Sequence, residues 1–144
     1  MKGLRSKRGL AALEMIFVLP ILILMLAALF EIGRMFIHYT TLNKSLQSGV
    51  RAALVEVYGT ERLSDVATDD YIQTIVVYGS SISGADTILP GLSKSDVSID
   101  KSVDDYLSVS ASYDYTPVFS SSMPISGEPF SVTMTASSTM RTAP

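Results

Sequence analysis

The stretch KGLRSKRGLAALEMIFVLPILILMLAALF, residues 2–30, decides the fold class and the compartment of this chain. Its first part is basic and contains Lys2, Arg5, Lys7 and Arg8, and it ends at Gly9. The 21 residues from Leu10 to Phe30 are apolar, with Glu14 as the only charge. A helix of this length measures about 31 Å, which is enough to cross the hydrocarbon core of a bilayer.

The charges that flank the apolar run predict its orientation. Four cations precede it, whereas the segment from Glu31 to Arg34 that follows is neutral. By the positive-inside bias, we expect the N-terminus in the cytoplasm and the rest of the chain on the other side of the membrane. Glu31 and Arg34 are three residues apart at the outer boundary, where we expect an exposed ion pair worth less than about 1 kcal/mol.

A cleaved secretory signal would begin in a similar way. Its apolar core is shorter, about 7–15 residues, and it ends at a small-x-small site. The candidate sites here fail, because Met25, Leu26 and Glu31 stand two positions before the small residues that would end them. The sequence therefore favours a segment that stays in the membrane.

Glu14 and Pro20 each have two interpretations. A carboxylate in a membrane segment is costly and usually has a partner or a function. Glu14 either snorkels to the headgroups or to Arg8, or it pairs with a neighbouring chain. In the second case the chain is cut between Gly9 and Leu10, and Glu14, now the fifth residue, pairs with the new α-amino group of a staggered neighbour in an apolar bundle. Pro20 removes one helix hydrogen bond and predicts either a local kink or a tolerated membrane proline.

Several motifs resemble one protein family. They are RGLAALEMIFVLP (8–20), FEIGR (30–34), SGVRAAL (48–54), YDYTPVF (113–119) and VTMTASSTMR (132–141). Their order is similar to that of TadE-like proteins, the minor pilin-like proteins of tight-adherence (Flp) pilus systems in the type IVb class. The basic leader that ends at Gly9, followed by glutamate at the fifth mature position, is similar to the type IV prepilin processing signature.

The resemblance implies a function and a set of partners. It implies a minor pilin-like subunit that a prepilin peptidase processes after Gly9, for the assembly or initiation of a pilus used in adhesion and biofilm formation. The other implied partners are the Flp major pilin, other minor pilins, the inner-membrane assembly platform and, before assembly, membrane lipid. The implied location is the bacterial inner membrane, with one membrane span, a periplasmic head and incorporation into an extracellular pilus as a further expectation.

Two alternatives remain open. The first is an unprocessed, membrane-anchored assembly factor of the same system, which Met15 favours because Flp-type major pilins have tyrosine at that position. The second is an anchored periplasmic enzyme. The chain has no cysteine and only one histidine, His38, so thiol chemistry, common catalytic triads and three-histidine zinc sites are excluded. We therefore expect no enzyme activity, no metal and no cofactor.

Length and charge limit the possible partners and the number of domains of the rest of the chain. Without residues 1–9, seven of the 11 basic residues remain against 14 acidic ones, which argues against nucleic acid as a partner. We expect three segments: a leader over residues 1–9, a membrane helix over 10–30 and one small head over 31–144. The head is long enough for a single core.

The head is predicted to have an α+β fold. An apolar stripe of period 3.6 from Ile32 to Val57 extends the first helix to about residue 57, ahead of Gly59. A second helix is predicted from Leu63 to Tyr78, with Ser64 as N-cap and Gly79 as its end. Residues 79–95, which are rich in Gly and Ser and contain Pro90-Gly91, are expected to form a surface loop.

Period-2 alternation predicts three antiparallel strands after this loop. They lie at Val97–Ile99, Leu107–Tyr115 and Phe130–Ala136. A long proline-containing loop from Pro117 to Pro129 separates the last two strands. We expect the apolar face of the sheet to be covered by the stripe of the long helix.

Overall fold

The computed structural model describes residues 3–55, 67–82, 84, 86–102, 106–118 and 131–141. The elements are helix α1 (Gly3–Val55), helix α2 (Asp69–Tyr78), a 3-10 turn (Lys94–Asp96) and strands β1 (Val97–Asp100), β2 (Tyr106–Tyr115) and β3 (Val132–Arg141). The chain divides into two compact units, Met1–Arg34 and Met35–Pro144, and the second is called the head below. The predicted α+β class, with a long first helix, a short second helix and an antiparallel sheet, is confirmed.

Helix α1 is one continuous element. It runs through Pro20 without interruption, so the proline is accommodated inside the helix. The described part of the helix ends at Val55, and the predicted end near Val57 and Gly59 lies outside the described residues.

The apolar stripe of α1 forms one wall of the core. Leu42, Leu46, Val50 and Ala53 are completely buried. Their spacing of three and four residues places them on one helix face, as the sequence predicted. The part of the stripe expected to cover the sheet begins at Tyr39, and Ile32 and Phe36, which precede it, are 63% and 66% exposed. The buried face begins at Met35, which is half-buried against the core, and Phe36 is turned away from that face by one helical step.

Helix α2 packs closely on α1. A Cβ atom added at Gly49 would lie 2.5 Å from Cγ2 of Val76, so α2 occupies the space that a side chain would need. Ile72, Val76 and Val77 of α2 are fully buried. The absence of a side chain at Gly49 is what allows the two helices to approach.

Helix α2 begins later than predicted. Its first residue is Asp69, because Ala67 and Thr68 are not helical and Thr68 has the extended angles φ −58° and ψ 145°. The predicted N-cap Ser64 lies outside the described residues. Asp69 and Asp70 occupy the first turn, where carboxylates interact favourably with the helix dipole. The predicted end is confirmed: Gly79 has φ 70°, and its N–H donates to the carbonyl of Ile75 at 2.9 Å.

The segment after α2 is more than a surface loop. Leu89 and Leu92 are only 3% and 2% exposed and belong to the core, which corrects the prediction. Ser93 closes the 3-10 turn, because its N–H and Oγ donate to Oδ2 of Asp96 at 2.9 and 2.6 Å. The chain returns to the core at the two leucines because each buries an apolar side chain, even though no periodic pattern surrounds them.

The sheet is antiparallel, with the strand order β1-β2-β3. Strand β3 pairs with all ten residues of β2 and extends to Arg141, beyond the predicted end at Ala136. Phe130, the predicted start of β3, lies outside the described residues. The alternation prediction is confirmed by the buried inner residues of β2, namely Leu107, Val109, Ala111, Tyr113 and Tyr115.

Candidate functional site

The candidate site is the apolar segment of α1, which the first unit leaves uncovered. Every large apolar side chain from Leu10 to Phe30 is between 42% and 70% exposed. Soluble monomers rarely expose continuous apolar surface of more than a few hundred Å². A helix that is apolar on all sides needs lipid or other helices around it.

Length and composition agree with a membrane segment. Among the described residues, one helix is long and apolar enough to cross a bilayer, and its most apolar 18-residue window has a mean hydropathy of 2.7 with none of its residues buried. The chain therefore has the features of a membrane anchor at its N-terminus. The direction in which this helix crosses the membrane stays a prediction.

Glu14 is an exposed acid within this apolar surface. No described side chain forms an ion pair with Glu14. The structure describes the backbone of Arg8 but not its side chain. In lipid such a carboxylate needs a partner or access to the headgroups, because a charge in hydrocarbon costs several kcal/mol. Pairing with headgroups and pairing with another chain both stay open.

The predicted leader joins this segment within the same helix. Arg5, Lys7 and Arg8 lie on the helical backbone of α1, and Lys2 lies outside the described residues. Gly9 is helical and exposed, and a Cβ atom at this position would meet no atom within 4 Å. Packing among the described residues therefore does not require a glycine here, and cleavage of the Gly9–Leu10 bond stays a prediction.

Glu31 and Arg34 end the apolar segment. Both are half-buried, and they lie three residues apart on α1, at neighbouring positions on the helix surface. Their ion pair stays a prediction.

A polar cluster in the head was not predicted. Nδ1 of His38 lies 3.2 Å from the hydroxyl oxygen of Tyr113, and that hydroxyl donates to the carbonyl of Pro90 at 3.1 Å. A hydroxyl has one proton to donate, so Nδ1 of His38 must be the donor to Tyr113. The His38 ring also meets Tyr115 edge-on, with 5.1 Å between the ring centroids.

This cluster is structural in character. It connects α1, β2 and the turn at Pro90. The only signal in the sequence was the alternation that places Tyr113 and Tyr115 on the inner face of β2. No group of three metal-ligating side chains is present among the described residues.

Two ion pairs fix the start of α2 to neighbouring segments. Lys94 pairs with Asp70 and Lys101 pairs with Asp69, each at 2.7 Å. Asp69 and Asp70, which are adjacent in the sequence, therefore each hold an ion pair within the head. A second pair of adjacent acids, Asp104 and Asp105, lies outside the described residues.

Comparison with known proteins gives one family. Residues 9–51 match the family model described as TadE-like protein. The matched range begins at the glycine of the predicted leader and ends at Arg51 of α1, so it contains the whole exposed apolar segment. No curated protein and no solved structure shows significant similarity to the chain.

Proposed function

We propose that this TadE-like protein, which its N-terminal match associates with Tad pilus systems, is a minor pilin-like subunit for the assembly or initiation of a type IVb pilus. The observation that carries the proposal is the apolar helix from Leu10 to Phe30, which is exposed on all sides and lies within the matched range. In this proposal, lipid covers the helix first, and the helices of other pilins cover it after assembly.

The exchange of lipid for protein explains why the segment carries only one charge. Packing apolar side chains against other helices replaces equally apolar lipid contacts, so the transfer has little hydrophobic driving force. Specificity must then come from polar groups and shape. Glu14 is the polar group available, and its pairing with the α-amino group of a neighbour would fix the stagger between helices rather than add much stability.

Processing would create that amino group. A prepilin peptidase that cuts between Gly9 and Leu10 removes the basic leader and leaves Glu14 as the fifth residue. The head would remain on the outer side of the membrane and contact the Flp major pilin, other minor pilins and the assembly platform.

The processing step can be tested in the native host with and without its prepilin peptidase. We expect the mature N-terminus at Leu10 in the wild type and the longer form in the deletion strain, both read by mass spectrometry of the intact chain. Identical N-termini in the two strains would refute processing. That result would favour the second candidate, an unprocessed assembly factor, for which the evidence is Met15 after the glutamate.

The role of Glu14 can be tested by the substitution Glu14→Leu. We expect normal amounts of the protein in the membrane, because an apolar residue inserts more easily than an acid. We expect pilus assembly to be strongly reduced, as measured by the mass of sheared pili, since the pairing that sets the stagger is lost. The matched control is Met15→Leu, which changes the next residue without changing charge and should leave assembly intact. Normal piliation with Glu14→Leu would contradict an intersubunit role.

A further inference from the structure

The exposed apolar surface of α1 continues beyond Phe30. Ile32, Phe36 and Ile37 are 63%, 66% and 62% exposed, and the last two belong to the head. They follow the apolar segment on the same continuous helix. A contiguous apolar surface on a protein marks a contact with lipid or with another protein. Because this surface continues that of a membrane anchor, the lipid of the same membrane is the nearest available cover.

We propose that the head rests on the membrane, with the side chains of Phe36 and Ile37 in the headgroup layer on its side of the bilayer. Helix α1 is displaced along its axis so that Glu14 approaches the headgroups at the opposite surface. The proposal rests on the membrane anchor and does not depend on processing at Gly9 or on a role in a pilus.

The length of the helix sets how far the bilayer reaches. The hydrocarbon core is about 30 Å thick, and the headgroup layer adds about 5–7 Å on each side. With a core that extends from Leu10 to Phe30, the Cα atom of Phe36 would lie about 9 Å outside it, just beyond the headgroups. In the same placement Glu14 would lie about 6 Å inside hydrocarbon, which is costly for a carboxylate.

A displacement of about two residues, or about 3 Å, improves both ends of the helix. The core then extends from Ala12 to Ile32, with Glu14 only about 3 Å inside it and Phe36 about 6 Å outside it, among the headgroups. Glu31 comes to lie about 1.5 Å inside the opposite boundary, where it is half-buried and three residues from Arg34. The acid at one end and the aromatic ring at the other therefore favour the same displacement.

The direction of the side chains adds to this effect. Side chains of an α-helix lean toward its N-terminus, so those of Phe36 and Ile37 lie closer to the bilayer than their Cα atoms do. Tyr39, which follows, is 40% exposed, and tyrosine is enriched at membrane–water interfaces. Lys44 is the next charged residue after Arg34 and is exposed. It lies on the same side of α1 as Ile37 and about 10 Å further along, where we expect the helix to be in water.

Fluorescence quenching in liposomes tests the proposal, because a single cysteine can be labelled in a chain that contains none. The full-length protein is reconstituted in liposomes of phosphatidylethanolamine and phosphatidylglycerol at a low protein-to-lipid ratio, so that lipid is the only available cover. Ile37→Cys carries the fluorophore, since a side chain that is 62% exposed can be replaced without disturbing the core. We expect strong quenching by lipid with a nitroxide on its headgroup and weak quenching by iodide in the water.

The matched control is Lys44→Cys, on the same side of α1 and about two turns further from the bilayer. We expect its quenching by the lipid nitroxide to be at least about threefold weaker, and its quenching by iodide to be strong. Equal lipid quenching at the two positions would overturn the proposal. Shielding of Ile37→Cys from both quenchers would also overturn it, because protein would then cover this face. Since neither a peptidase nor another pilin is present, both results would leave the proposed function as it stands.

The displacement of α1 is tested by adding Glu14→Leu to Ile37→Cys. Without the acid, the N-terminal end of the helix is no longer drawn toward the headgroups, so we expect the label to move outward and its lipid quenching to fall. Adding Met15→Leu instead, which changes the next residue without a change of charge, should leave the quenching unchanged. Equal quenching with and without Glu14→Leu would refute the displacement, and with it the placement of Phe36 among the headgroups.

Discussion

Gly49 sets the distance between the two helices of the head. Its missing Cβ would lie 2.5 Å from Cγ2 of Val76, so the substitution Gly49→Ala forces α2 away from α1. We expect a loss of about 1–3 kcal/mol in the free energy of unfolding, the usual cost of overpacking a core. The loss should be visible as a lower melting temperature of the full chain in detergent, followed by the near-ultraviolet circular dichroism of its tyrosines.

Two controls separate this clash from a general effect of alanine. Gly33→Ala should be nearly neutral or slightly stabilising, because a Cβ atom there meets nothing within 4 Å and alanine favours the helix. The double variant Gly49→Ala/Val76→Ala should lose less stability than the two single variants added together. Full additivity would mean that the contact with Val76 is not the cause.

Asp100 gives the head a small dependence on pH. Hydrogen bonds from the side chain and the backbone N–H of Ser102 hold the pKa of this exposed carboxyl below its ordinary value of 3.8. A lowered pKa in the folded state means that the charged form stabilises the fold at neutral pH. This contribution is lost as the pH falls through the folded-state pKa.

The substitution Asp100→Asn tests this contribution. We expect a slightly lower melting temperature than that of the wild type at pH 7, and a difference that shrinks when both are measured at about pH 3. Asp86→Asn, at an exposed position without a hydrogen bond in the described part of the chain, should leave the melting temperature unchanged at both pH values. A difference for Asp100→Asn that grows on acidification would contradict the assigned direction.

At the scale of elements, the segment between α2 and β1 acts as a buried connection. Leu92 is 2% exposed, whereas Ile82 in the same segment is 72% exposed. We expect Leu92→Ala to lower the free energy of unfolding by about 2–5 kcal/mol because it leaves a cavity. Ile82→Ala, which removes the same kind of side chain from the surface, should change it by less than about 0.5 kcal/mol. A loss of less than about 0.5 kcal/mol for Leu92→Ala as well would support the interpretation of this segment as a surface loop.

The elements that the sequence predicted are those with a sustained period. The stripe from Leu42 to Ala53 and the alternation of β2 are each long enough to define a buried face. Leu89 and Leu92 could not be recognised in this way, because two isolated leucines among Gly, Ser and Pro have no period. The contact between His38 and Tyr113 joins residues that are 75 positions apart in the sequence. Local patterns of apolar and polar residues cannot predict a contact over such a separation.

The candidate site was visible in the sequence for a different reason. A membrane segment is defined by composition over about 20 residues, so its recognition needs no tertiary contact. What the sequence could not supply is which surfaces the head presents. Phe36 illustrates this limit, because it continues the apolar pattern although it is 66% exposed among the described residues.

At the scale of the whole molecule, the charges around the membrane helix predict its direction. Single cysteines in this cysteine-free chain report which side of the membrane each position occupies. In intact spheroplasts of a strain without prepilin peptidase, a thiol reagent that cannot cross membranes should label Ser98→Cys, on an exposed position of β1, and should not label Ser6→Cys. After permeabilisation both should react. Labelling of Ser6→Cys alone in intact spheroplasts would reverse the predicted topology.

The composition of the core also determines when the head can fold during synthesis. The same cluster includes Leu42, near the beginning of the chain, and Met134 and Ala136, close to its end. Contacts between residues so far apart in sequence cannot form until the last strand has left the ribosome. The head therefore cannot complete its core before β3 has been synthesised, which favours passage through a membrane translocation channel before tertiary folding.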